Sequence, residues 1–191
     1  MITDDSEIPS LVEEINTRMQ ELQNHIGDRN IDESRIKFPR GYLRTCEHHR
    51  EKYAFLRDPV IEKNISYTLL ATDVYRWLLN RTDLGLSAQE MIVKHGLILI
   101  CSIVEVLVLK KSKGLPDRGS TFKSYLRALV ANHQLNGELD KELRWLWDTR
   151  QNVHLSLAKE PEHNKYEVKD YNRAVRGLFA ARAAFDQATE V

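Results

Sequence analysis

The chain is poor in the features that mark secreted, fibrous or membrane-spanning proteins. Only two cysteines occur in 191 residues, Cys46 and Cys101, far apart in the sequence. They give neither a disulfide framework nor a zinc-ligand spacing, so a reducing cytoplasm is the expected setting. Eight glycines and five prolines sit mostly between apolar-periodic segments. No alternating strand pattern stands out, which predicts an all-helical chain. Charge of one sign is not in excess either, because 28 Lys and Arg balance 28 Asp and Glu. Without a global positive field, any RNA contact has to be local. The first residues are acidic (Asp4, Asp5, Glu7) and lack an early apolar stretch, which argues against a secretory leader. The strongest apolar run, Gly96 to Leu109, contains Glu105; at about 14 residues it is short for a membrane span and suits a buried helix. The Walker loop, the dinucleotide-binding glycine motif, the nucleophile elbow and HExxH are all missing. Hence no ATP-driven, hydride-transfer or zinc-protease chemistry is supported, and no cofactor is expected. Cys46-Glu47-His48-His49 has metal-binding residue types, but adjacent histidines on a helix point about 100° apart and chelate one ion poorly. No metal site is expected.

What is present is helical periodicity. Leu11, Ile15, Met19, Leu22 and Ile26 share one face of a first helix from Ser10 to Ile26. A second helix is expected from Gly41 to Arg57. Asp58-Pro59 reads as a cap with proline in the first turn of a third helix that runs to Arg81. Ser87-Ala88-Gln89-Glu90 reads as a capping box opening a fourth helix to Lys111. That helix is apolar nearly all round and belongs at the centre of a bundle. A short helix from Thr121 to His133, one turned by Asn136-Gly137, and a last one from Val168 to Gln187 complete the set. Long helices with short connections predict an antiparallel helical bundle, all-α. The densest apolar patterning follows residue 58, so residues 1–58 read as an N-terminal helical extension and 59–191 as the bundle.

The most informative local feature is Arg150. Leu139, Leu143, Leu146, Val153 and Leu157 recur at alternating four- and three-residue steps, the period of one buried face. Arg150 falls in that series and His154 lies one turn further. A core-facing guanidinium is costly unless paired, and it does not escape by losing its proton. It therefore has either a buried acidic partner or an anion that comes to meet it. Glu105, the lone acid of the apolar helix, is the candidate partner; its alternative is a place at the solvent edge. Arg150 suits phosphate oxygens and His154 suits proton transfer near neutrality. Together they have the groups to cleave RNA without metal, through attack of the 2′-hydroxyl on the adjacent phosphate. The competing reading is a structural ion pair with a surface histidine. Gln151 and Asn152 neighbour the pair and could hydrogen-bond a ribose or phosphate, although for Gln151 a solvated helix surface is the preferred reading. Lys110, Lys111, Lys113, Arg118, Lys123 and Arg127 cluster around one loop that either steers an RNA backbone or is simply solvated. Trp145, off the seam, reads as a base-stacking platform or, preferably, as a contact with a partner subunit.

In order of features the chain resembles the HEPN superfamily of small helical-bundle domains. Ile103-Val104-Glu105-Val106-Leu107 precedes Phe122-Lys123-Ser124-Tyr125-Leu126, and then comes Leu143 to Leu155 with Arg150 and His154, which is similar to the family's signature helix. The resemblance covers about residues 60 to 188. It implies a metal-independent endoribonuclease of a toxin or defence system, acting on RNA from a composite cleft of a homodimer. A cognate antitoxin or other partner protein is implied, and no membrane. In that family Arg150 would stabilise the phosphate and His154 would handle the proton. The interval here is one residue shorter than the family's usual minimum, and Gln151 fills a position where Asn, Asp or His is usual. Inactive relatives serve as binding modules, so a noncatalytic domain for RNA, nucleotide or a partner protein is the alternative.

Overall fold

In the computed structural model, residues 3–151 and 165–187 are described, and helix is the regular structure they form. Seven α-helices occur among the described residues: α1 Ile8–Ile26, α2 Cys46–Glu51, α3 Pro59–Arg81, α4 Leu86–Lys111, α5 Phe122–Ala131, α6 Gly137–Gln151 and α7 Val168–Gln187. The expected all-α helical bundle is what the chain forms.

Two compact units divide the chain between Arg40 and Gly41. The first holds α1 and the turn after it. The second holds α2 to α7. This division of contacts falls earlier in the chain than residue 58, for a polar reason. Residues 41–58 belong to the bundle because Arg44 and His49 bond to Asp73 on α3. Such long-range contacts leave no trace in local apolar density. The expected single helix from Gly41 to Arg57 is corrected. Thr45 caps a much shorter α2 by accepting a hydrogen bond from the His48 N–H at 3.1 Å. The chain then turns through a 3₁₀ segment, Ala54–Leu56, which leaves Tyr53 buried.

The core is built around α4. Val93, Leu97, Ile100, Cys101, Ile103, Val104, Leu107 and Val108 are all buried. Two faces of one helix are covered because α3 and α7 pack on it together with α5 and α6. By length and composition α4 is also apolar enough to cross a membrane; in the bundle its side chains are the core. α4 opens at Leu86 behind Gly85 with no side-chain cap, so Ser87 lies inside the helix and the expected capping box is not used. α3 starts as expected, with Asp58 accepting from the Ile61 N–H at 3.2 Å and Pro59 in the first turn. α5 carries the capping box instead, between Thr121 and Ser124. The most extensive packing is α4 on α7. It is close because of Gly96: a Cβ there would stand 2.6 Å from the Tyr171 ring.

A candidate anion site beside the Asp73 network

The seam of α6 is as expected, with Leu139, Leu143 and Leu146 buried. Arg150, next in that series, is half-buried, and its guanidinium lies over the Trp147 ring at 5.3 Å. Among the described residues it has no ion pair, with Glu105 or any other carboxylate. The two are nonetheless neighbours of one group, the buried Cys101. Burial pushes that thiol up to about 12, while Arg150 pulls it down and Glu105 adds to the rise. Glu105 is half-buried, a placement compatible with the solvent edge of α4. Gln151 ends α6, and Asn152 and His154 lie outside the described residues.

The basic loop is largely tied into the fold. Lys110 bonds Asp58 at 2.6 Å, joining the end of α4 to the start of α3. Lys111 lies over the Phe55 ring, and burial lowers its pKa, opposed by Asp186. Lys123 pairs with Asp148 at 2.7 Å. Arg118 covers the Tyr125 ring and donates to the Ser112 hydroxyl. Trp145 is half-buried under the Arg173 guanidinium, 3.9 Å from its ring, and that guanidinium is in turn held by both oxygens of Glu142. These contacts occupy groups that the sequence offered to an RNA backbone or a partner subunit.

The chemistry converges elsewhere. A cavity of about 380 Å³ lies between α2, α3, α4 and α7, within the second unit. Asp73 stands in its wall, 1% exposed. It accepts from the Arg44 backbone N–H at 3.2 Å, from Arg44 Nε at 3.1 Å and from Arg44 Nη2, and it shares a 3.0 Å hydrogen bond with His49 Nε2. Arg76 Nη2 adds a looser contact at 3.6 Å. Burial works to raise the Asp73 carboxyl, but the bonds from Arg44 and His49 outweigh it and hold the group below its ordinary value. His49 is buried as well. Its burial lowers the imidazole pKa despite the Asp73 bond, so the neutral form is favoured.

Around this pair the cavity is lined by the cations Arg44, Lys52, Arg76 and Arg182, against the single carboxylate of Asp73. Burial, and then repulsion from Arg44 and Arg182, depresses the Lys52 pKa. Three buried side-chain atoms have no hydrogen-bond partner among the described residues: Tyr53 Oη, Arg76 Nε and Arg182 Nε. All three belong to residues that line this cavity. Buried donors are ordinarily satisfied, so a cluster of orphans calls for an explanation. The rest of the lining is apolar, with Leu69, Ile100, Val175, Leu178 and Phe179. Tyr171 also lines the cavity and donates to the Thr72 carbonyl at 3.0 Å. Burial raises both phenols, Tyr53 and Tyr171, to about 12. They stay neutral and serve as donors.

None of the lining residues was picked from the sequence as a site, yet a signal was there. Asp73 lies on the buried face of α3 with Ile65, Leu69 and Thr72. Arg182 falls between Leu178 and Phe185 on the buried face of α7. The reasoning that singles out Arg150, a charge in an apolar series, applies equally to both. His49 belongs to the Cys46–His49 run; it holds Asp73, and no group of potential metal ligands forms among the described residues. No protein-family model, curated protein or solved structure matches the chain.

Proposed function

We propose that this protein is a binding module for a small organic dianion, a phosphate monoester with a compact apolar body, held in the Arg44–Arg182 cavity. The observation that carries the reading is the gathering of four cationic side chains, Arg44, Lys52, Arg76 and Arg182, around one carboxylate in the lining of a single cavity. Phosphate oxygens suit guanidinium and ammonium groups, and charge-assisted bonds of this kind are short and strong. The volume falls in the range of small-molecule sites of about 300–1,000 Å³. The apolar wall is suited to a flat or branched hydrocarbon body rather than to a chain of nucleotides. Asp73 already takes Arg44 and His49, which leaves Lys52, Arg76 and Arg182 as the cations of the lining for the incoming anion. Asp73 anchors Arg44 in place, as a second layer behind the contact surface. Binding rather than turnover is proposed because the lining hydroxyls are engaged or un-ionised. Thr72 donates to the Leu69 carbonyl at 2.7 Å, and the phenols stay protonated.

Calorimetric titration with phenyl phosphate, benzoate and inorganic phosphate tests this. Phenyl phosphate should bind, and Arg182→Gln should weaken it by about ten- to a hundredfold, the worth of one hydrogen bond to a charged group. The same substitution should leave the free protein as stable or more so, because it relieves repulsion among cations. No heat and no thermal shift with any of the three ligands would sink the proposal.

A second reading rests on Arg150, half-buried yet with no carboxylate at ion-pair distance among the described residues. With His154 it would form the RNA-cleaving pair of a HEPN-like endoribonuclease, in a homodimer and in the cytoplasm. RNA incubated with the protein in EDTA should then be cut to 2′,3′-cyclic phosphate ends, and His154→Ala or Arg150→Ala should abolish the cutting. Intact RNA with all three proteins removes this reading and leaves the cavity reading untouched.

A further inference from the structure

Within the first unit, α1 exposes an apolar stripe along its whole length. Ile8, Leu11, Val12, Ile15, Met19 and Leu22 are 37–49% exposed. A stripe of this kind on a soluble surface marks an interaction site. Its spacing is more specific than ordinary amphipathicity. Ile8, Val12, Ile15, Met19, Leu22 and Ile26 follow strict steps of four, three, four, three and four. Every core position of the heptad repeat is filled by an apolar residue, and that 3.5-residue period suits a second helix winding on the first. The positions flanking the seam are Pro9, Asn16 and Gln23 on one side and Leu11, Arg18 and His25 on the other. None is acidic. Glu13, Glu14 and Glu21 lie on the outer face, away from the seam.

Charge decides how two such helices would lie. Residues 1–17 hold Asp4, Asp5, Glu7, Glu13 and Glu14 and no Lys or Arg, whereas residues 18–29 balance Arg18 and Arg29 against Glu21 and Asp28. A parallel pair would set five acids against five. An antiparallel pair sets the acidic half against the half that holds the cations, and it also opposes the helix dipoles favourably. In that arrangement Ile8 meets Ile26, Val12 meets Leu22, and Ile15 meets Met19. Arg18 comes near its own copy at the two-fold axis, but it is neutralised within its helix by Glu21 at 2.9 Å.

We infer that α1 is a self-association helix, pairing antiparallel with α1 of a second copy of this chain in a two-fold symmetric dimer. The helix is about 28 Å long, shorter than a free-standing coiled coil of three to four heptads. The dimer is therefore reversible and depends on concentration. Its formation does not rest on the cavity reading, since the residues involved lie in the other unit.

Sedimentation velocity of the full chain between about 1 and about 100 µM reads the equilibrium directly. The wild type should shift from monomer to dimer across that range. Ile15→Asp with Leu22→Asp should hold it monomeric throughout, a loss of at least about a hundredfold in association. Thr17→Asp with Asn24→Asp, the same two charges on the outer face, should dimerise like the wild type, which separates a lost seam from a lost helix. A wild type that stays monomeric, or an Ile15→Asp/Leu22→Asp variant that still dimerises, overturns the inference. For orientation, a Cys46→Ser chain with Ile8→Cys is mixed with a Cys46→Ser chain with Ile26→Cys and oxidised. Disulfides between the two kinds of chain are expected; disulfides only between like chains would overturn the antiparallel pairing.

Discussion

Asp73 is the residue on which the polar architecture of the bundle turns. It is buried, it holds Arg44 through backbone and guanidinium, and it holds His49. Removing one member of a buried ionic group costs about 3–5 kcal/mol, because the others are left desolvated and uncompensated. Asp73→Ala should therefore lose stability on that scale in urea titration. Tyr171→Phe, which removes one neutral bond to the Thr72 carbonyl, should cost only about 1 kcal/mol. The pH dependence follows from the same groups. The folded pKa of His49 lies below the ordinary 6.5, so between those values the unfolded chain binds the extra proton. Stability is then full above 6.5 and falls as the pH drops below it. Asp73 also has its folded value below the ordinary 3.8. Its contribution is present above 3.8 and is lost as the pH falls through the folded value. Urea midpoints at pH 7.5 and 5.5 should thus differ in the wild type, and the difference should shrink in His49→Gln. An unchanged slope in that variant would show that His49 is not the group being titrated.

At the scale of elements, periodicity carried most of what was legible. α3 begins and ends, and α7 begins, where spacing and punctuation put them, because each has a continuous buried face. α4 was placed at the centre for the same reason. α2 was not legible. Its length is decided by the Thr45 cap and by where Tyr53 and His49 are buried, and neither is a local repeat. The α4–α7 junction shows a third case. Gly96 sits in mid-helix, where glycine costs about 1 kcal/mol relative to alanine, and nothing around it in the sequence explains it. The Tyr171 ring explains it, since a methyl group would overlap that ring. Tyr171 is fixed by its own hydrogen bond and has little room to retreat. Gly96→Ala should accordingly destabilise by about 1–3 kcal/mol, the usual cost of overpacking. It should also weaken phenyl phosphate, because Tyr171 lines the cavity. Thermal melting and the same calorimetric titration check the two effects.

For the whole molecule, the boundary between the two units makes a sharp prediction. A fragment starting at Gly41 keeps Arg44, His49, Lys52 and Tyr53 with the rest of the cavity lining. It should melt near the full chain and bind phenyl phosphate with the same affinity. A fragment starting at Pro59, the division suggested by apolar density, strips those residues away and leaves Asp73 without its Arg44 and His49 partners. It should be several kcal/mol less stable, by the cost of an unpaired buried charge, and should not bind. The comparison also shows why the site was harder to read than the fold. Helices are written in neighbours three and four apart, whereas the cavity is assembled from side chains as distant as Arg44 and Arg182. The seam argument found Arg150 because an unbroken apolar series surrounds it. The equivalent signals at Asp73 and Arg182 lie in helices with more mixed faces.

The all-round apolar character of α4 has a consequence for the birth of the protein. Its main cover, α7, leaves the ribosome well after Lys111 has emerged. For that interval a greasy cylinder of Val, Leu and Ile is without its shelter, the condition in which nascent chains cling to one another. Synthesis halted before Val168 should yield chains that precipitate or stay bound to holding chaperones, while release of the complete chain frees them.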